Sequence, residues 1–225
     1  MQSKLVNLAR VLFVLPGGHE LTTGRFSLLD TGKAITERYG FLKSPQTLEE
    51  WQHSEGAKFS HGRHHETIIT QLIIYGRGFA VDTEVSTDES EKILLDLIQW
   101  GSTKFGVRLP TPRRADLAFV SNLTFVADIS LDWLHPALRM LGERVTPFAG
   151  WLAPSAKYET TGVTLKMDDF NMKFSPSVFS IERRVDVRFS ENTYFSAAPM
   201  PTGEHLKVLE EFETAIRSSG RRGQF

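Results

Sequence analysis

Apolar and polar positions alternate most cleanly between residues 67 and 85. There "TIITQLIIY" and "FAVDTEV" flank Gly76-Arg77-Gly78, a three-residue connection with glycine available for a left-handed position, which predicts a β-hairpin. With Tyr75 opposite Phe79, one face carries Ile69, Ile73, Tyr75, Phe79, Val81 and Val85. The other face, with Ile68, Thr70, Leu72, Ile74, Ala80, Asp82 and Glu84, is mixed, and its acids prefer water. The period then changes. In "STDESEKILLDLIQWGSTKFG" a cap at Ser86, Thr87 or Asp88, with a capping-box acid at Glu89 or Glu91, precedes a stripe of Ile93, Leu94, Leu97, Ile98 and Phe105. This predicts a helix ending near Gly106.

The remaining segments are shorter. "MQSKLVNLARVLFVLPGG" reads as a first strand or helix; its apolar run is too short for the core of a secretory leader. Residues 21–58 carry no clear period, so loops and short elements are expected, among them a short helix capped by Ser44 with Pro45 at its first position. "ADLAFVSNLTFVAD" predicts a strand, and "SLDWLHPALRMLGERV" a helix with Pro136 in its first turn. "YETTGVTLKM" and "SVFSIERRVDVRFS" predict further strands, and a last helix is capped by Thr202, with Leu206, Leu209, Phe212 and Ile216 in line. No repeat period is evident. The order predicts an α+β fold: a mixed or antiparallel sheet with about three helices packed mainly on one face. It forms one domain over residues 1–217, less regular over 1–60, with a flexible tail at 218–225.

Composition narrows the function classes. The chain has no cysteine, which removes disulfides, thiol catalysis and cysteine-based metal sites and fits a cytoplasmic protein. Net charge is −1 over 225 residues, so no overall field draws the chain to nucleic acid or to anionic lipid. No apolar run approaches the roughly 20 residues that cross a bilayer, so no membrane partner is expected.

Candidate chemistry is sparse. "HGRHHE" gathers His61, His64, His65 and Glu66. In an extended chain His61 and His65 face one way while His64 and Glu66 face the other, so they diverge instead of converging on an ion. No metal is expected there; His61, His64 and His65 are the residues that would ligate one. His64, His65 and Glu66 are the only candidates for catalysis. Arg183 interrupts the apolar face of "VFSIERRVDVRF", where an unpaired guanidinium would cost several kcal/mol. Either it meets a buried carboxylate or that face receives an anion. Aromatics in "TPFAGW", "DDFNMKF" and "NTYFSAAPMP" stand beside Gly, Pro and Asn, as interface loops do. Arg183, Arg184, Tyr194 and Phe195 are therefore the expected binding residues.

No dinucleotide, Walker, nucleophile-elbow or zincin fingerprint is present, and no cofactor is expected. The basic pairs Arg113-Arg114, Arg183-Arg184 and Arg221-Arg222 are dispersed. Three readings follow. The first is a non-catalytic binding or assembly module of an intracellular complex, working with a protein partner or with itself. The second is a metal- or histidine-dependent enzyme on a phosphate- or carboxylate-bearing substrate. The third is a single-stranded nucleic-acid binder using "RRVDVRFSENTYF" for stacking.

Overall fold

A computed structural model describes residues 1–15, 27–106, 109–149, 157–168 and 177–222, and among these the alternating and helical segments become eight strands and five α-helices. The first half runs β1 (Gln2–Val14), α1 (Leu28–Tyr39), α2 (Leu48–Trp51), β2 (Ala57–His64), β3 (Thr67–Tyr75), β4 (Gly78–Thr83) and α3 (Thr87–Phe105). The second runs β5 (Leu117–Val126), α4 (Pro136–Val145), β6 (Gly162–Leu165), β7 (Phe179–Arg183), β8 (Thr193–Ala198) and α5 (Thr202–Arg222). The fold is α+β, with strand order β2-β3-β4-β1-β5-β8-β7-β6. Two compact units divide the chain. The N-terminal unit holds Val6–Ser121 with Pro199–Thr202, and the C-terminal unit Met1–Leu5, Asn122–Ala198 and Gly203–Phe225.

In the N-terminal unit β4 pairs antiparallel with both β1 and β3, and β3 with β2. The predicted hairpin forms one residue out of the expected register. Tyr75 faces Gly78 rather than Phe79, leaving a two-residue turn at Gly76-Arg77. The cause is at Gly78, where a Cβ would lie 2.1 Å from the Phe13 carbonyl oxygen of β1. Strand β4 begins at this glycine because only a bare backbone fits so close to β1. The slip turns the faces over. Leu72, Phe79 and Val81 enter the core with Val11, Phe13 and Leu94, and Ile74 packs against it. Phe13 and Phe79, cross-strand partners, stack at 6.5 Å. Asp82 is not in water: it is 4 % exposed and receives two 2.7 Å hydrogen bonds from Arg10 Nε and Nη2.

Helix α1 occupies part of the stretch expected to be loops. Its buried positions are Thr31, Gly32, Ile35 and Tyr39, so only two of four carry a large side chain and the periodicity is faint. The short helix α2 is capped by Thr47 and Glu50 in a capping box, not by Ser44. Helix α3 has its N-cap at Ser86 and a left-handed Gly106 after its last turn.

In the C-terminal unit β7 pairs antiparallel with β6 and β8. The long strand expected at 177–190 stops at Arg183. The Arg184 N–H donates to Thr193 O, and Asp186 takes a left-handed φ of 66°, leaving Val185 78 % exposed. "TYFSAA", expected as loop, is β8. Helix α4 starts at Pro136, with His135 Nδ1 accepting the Ala137 N–H. Helix α5 continues to Arg222, past the expected boundary at 217. Trp151, Phe170 and Phe174 of the aromatic segments lie outside the described residues.

Each unit follows one chain order: strand, helix, three strands, helix, with α2 added in the first. Each also ties its last helix to a strand through buried polar groups. In one, Ser90 of α3 meets Thr83 of β4 at 3.0 Å; in the other, His205 of α5 meets Ser196 of β8 at 2.8 Å.

Candidate functional site

The histidine segment is a hairpin turn. His64 faces Thr67 across β2 and β3, so His65-Glu66 is the loop, and His65 takes a φ of 51°. That left-handed residue undoes the strict alternation on which the expected divergence of His64 and His65 rested; their rings stand 4.3 Å apart. His61, His65 and Glu66 are exposed. His64 Nε2 lies 3.6 Å from Asp96 of α3, an ion-pair distance beyond hydrogen-bond range. Asp96 is already engaged: Arg38 donates to it at 2.6 and 3.2 Å, and the Tyr39 hydroxyl at 2.6 Å. Among the described residues no three His, Asp or Glu side chains come together as a metal ion requires.

Electrostatics around Asp96 follow from these contacts. Burial pushes its carboxyl upward, but hydrogen bonds from Arg38 and Tyr39 with the Arg38 charge outweigh that, leaving it below the usual carboxylate range. Burial first, then the bond to Asp96, holds the Tyr39 phenol protonated well above its ordinary range. Burial lowers His64, only partly opposed by Asp96, so its ring favours the neutral form.

Arg183 meets its carboxylate. It is 9 % exposed and donates to Glu159 at 2.9 Å, Ser130 Oγ at 2.8 Å, Phe189 O at 2.7 Å and Thr160 O at 3.1 Å. Its guanidinium carbon also lies 4.4 Å from the centre of the Phe189 ring and 5.5 Å from that of Tyr194. With that many of a guanidinium's five N–H groups engaged, little donor capacity remains for an anion. Tyr194 is 1 % exposed, and its hydroxyl accepts the Leu131 N–H. Phe195 is half-buried on the other face of β8, and Arg184 is exposed.

The buried Ser196–His205 pair has the spacing of a nucleophile and base but the opposite proton order. Ser196 donates its hydroxyl proton to Ser180 O at 2.7 Å, so its oxygen accepts from His205 Nε2–H. Both residues are 0 % exposed. This is a structural tie.

The feature best shaped for a ligand went unrecognised in the sequence. A cavity of about 430 Å³ opens within the N-terminal unit, walled by Ile35 of α1, Trp51 of α2, Phe79 of β4, and Leu97, Trp100 and Phe105 of α3. It falls in the range of small-molecule sites, roughly 300–1,000 Å³. Gln52, His53 and Ser54 add exposed polar groups, and among the described residues no Lys, Arg, Asp or Glu lines it. His53 Nδ1 accepts the Glu55 N–H at 3.2 Å.

Two walls are held from behind. Arg38, clamped by Asp96, lies over the Trp100 ring with its guanidinium carbon 5.0 Å from the centroid, and Phe105 meets that ring edge-on at 5.6 Å. Trp51 packs against Gly32, where a Cβ would sit 3.0 Å from Cζ2, and against the edge of Phe59. Its buried indole N–H has no partner among the described residues.

Gly101 keeps the space open. It lies on the apolar stripe of α3, lines the cavity, and a Cβ built on it would meet none of the described residues within 4 Å. A glycine inside a helix costs about 0.8–1 kcal/mol relative to alanine, and here no close backbone contact explains it. The C-terminal unit supplies the comparison. Ile216 and Gly101 both stand fourteen residues beyond the first residue of their helices. Ile216 is 5 % exposed and lines a void of only about 20 Å³. The sequence cue was a glycine interrupting a helical stripe, three residues after Ile98.

Compared with known protein families and with characterised proteins, the chain matches none.

Proposed function

We propose that this chain is a non-catalytic binding module whose site is the cavity of the N-terminal unit. The observation that carries the reading is Gly101, a helix position left without a side chain over open space where Ile216 fills its counterpart. Additional support comes from the engagement of the chemically suggestive groups by their own neighbours. Arg183 serves four acceptors, Ser196 gives its proton to a carbonyl, and Asp96 is shared by Arg38 and Tyr39. The test is native mass spectrometry of the chain purified from its own host, followed by release and identification of small molecules. A bound small molecule retained by wild type and lost from Gly101→Ile supports the reading; identical spectra for both proteins remove it.

A second reading, assembly through α4, rests on a separate observation. No residue of this helix is buried, and Leu138, Met140 and Leu141 are exposed, with Phe148 just beyond it 82 % exposed. Patches of this kind mark protein contacts. If this surface mediates self-association, a Leu141→Glu, Phe148→Glu variant has a lower mass by light scattering than wild type; equal masses exclude it.

A further inference from the structure

We infer that the cavity takes an uncharged, largely apolar ring compound rather than a phosphate- or carboxylate-bearing one. The inference rests on the binding reading above and adds the chemistry of the ligand. Three observations carry it. First, among the described residues no side chain with a formal charge lines the cavity apart from the ionisable imidazole of His53, which is exposed. A charged ligand would shed water without a counter-charge, and buried charge is tolerated only when paired. Second, the walls include Trp51, Phe79, Trp100 and Phe105, surfaces suited to the faces and edges of a flat ring. The ring of Trp100 is set in advance by Arg38 and Asp96, so its orientation need not be fixed by the ligand. Third, the volume of about 430 Å³ is roughly three times the ~150 Å³ that accommodates a benzene in an otherwise dry cavity. That leaves room for two fused rings with a short substituent.

Three polar side chains sit together on the segment that follows α2, Gln52, His53 and Ser54, while Thr31 and Tyr75 line the cavity elsewhere. Because the His53 Nδ1 accepts a main-chain N–H, the neutral ring carries its proton on Nε2 and is a donor there. A ligand with one hydroxyl or carbonyl oxygen therefore finds a partner without bringing a charge.

The experiment compares three ligands of nearly one shape, 2-naphthalenemethanol, 2-naphthoate and 2-naphthylmethylammonium, by calorimetry and ligand-observed NMR at pH 8. The alcohol is expected to bind, with each charged analogue at least tenfold weaker. Gly101→Ile is expected to abolish binding of the alcohol while its thermal midpoint stays at or above that of wild type, which separates a filled cavity from a lost fold. Gly101→Ala, smaller and a better helix former, is the second variant, expected to bind the alcohol more weakly than wild type. If 2-naphthoate or the ammonium binds as tightly as the alcohol and responds to Gly101→Ile, the uncharged-ligand inference falls and the binding reading stands. If none of the three binds, or binding of the alcohol survives Gly101→Ile unchanged, both fall.

Discussion

Single residues carry most of what separates this protein from its own pattern. Arg183 was conspicuous in the sequence because it stood on an apolar face, and the carboxylate it needed was not: Glu159 is 24 positions away and belongs to no strand. Truncating Arg183 to alanine takes a donor from Glu159, two carbonyls and a hydroxyl, of which Phe189 O and Ser130 Oγ keep the Asn192 and Asp132 N–H groups, and such losses cost about 3 kcal/mol. A urea denaturation midpoint checks this, with Arg183→Lys expected to fall in between because it keeps the charge but not the planar fork. His64 gives a pH dependence. Its folded value is lowered by burial, with Asp96 and Glu89 opposing and His65 and Arg38 reinforcing. The unfolded chain therefore binds the proton more readily. Its contribution to stability is complete above the ordinary imidazole value of 6.5 and declines as pH falls toward the lower folded value. The drop in thermal midpoint between pH 7.5 and 5.5 is expected to shrink in His64→Gln. An unchanged drop would show that this ring does not titrate differently on folding. The partnership with Asp96 was invisible in the sequence, since 32 residues separate them and Asp96 reads only as the polar flank of a helix.

At the level of elements, legibility followed the size of the buried side chains. Helix α3 and the β3–β4 pair were readable because Ile, Leu, Phe and Val mark their inner faces. Helix α1 was not, because Thr31 and Gly32 occupy inner positions where a large apolar residue would have announced it. The register of the hairpin failed on one residue for a reason outside the hairpin, the approach of the β1 backbone to Gly78. Polar ties between elements were equally hidden. Thr87 and Thr202, the first residues of α3 and α5, accept each other's N–H through their hydroxyls at 2.9 and 3.1 Å. Ser90, 0 % exposed, donates to Ala9 O at 2.7 Å and lies 3.0 Å from Thr83 Oγ1. Replacing Ser90 with alanine takes the donor from Ala9 O and one partner from the Thr83 hydroxyl, which keeps Ser86 O and the Val85 N–H, and is expected to cost about 1–2 kcal/mol. Guanidinium denaturation of Ser90→Ala, alone and with Thr83→Val, gives the coupling. The double variant is expected to lose less than the sum of the singles, because the contact between the two hydroxyls is counted in each single and lost only once in the double.

Across the whole chain, one order of elements is used twice, with opposite outcomes at a matched helix position. Sequence periodicity could not expose this: the matched helices share few side chains, and one hydroxyl–hydroxyl tie corresponds to a serine–histidine tie. The helix position does expose it, because Gly101 and Ile216 occupy the same step along α3 and α5. A swap of the two residues tests whether that one position decides between a hollow and a filled unit. Ile216→Gly removes a buried side chain and adds a helix glycine, so it is expected to lose about 4 kcal/mol, the sum of a cavity term and a propensity term. Gly101→Ile does the reverse and is expected to gain about 1 kcal/mol, since helix propensity improves and the new side chain enters existing space. If Gly101 were kept for tight packing, the same substitution would clash and destabilise the chain by about 1–3 kcal/mol, as overpacking does. Opposite signs for the two variants in parallel urea titrations would identify the hollow as space the folded chain could fill at a gain and leaves open. A loss in both would make Gly101 an ordinary packing residue and remove the main support for a ligand there.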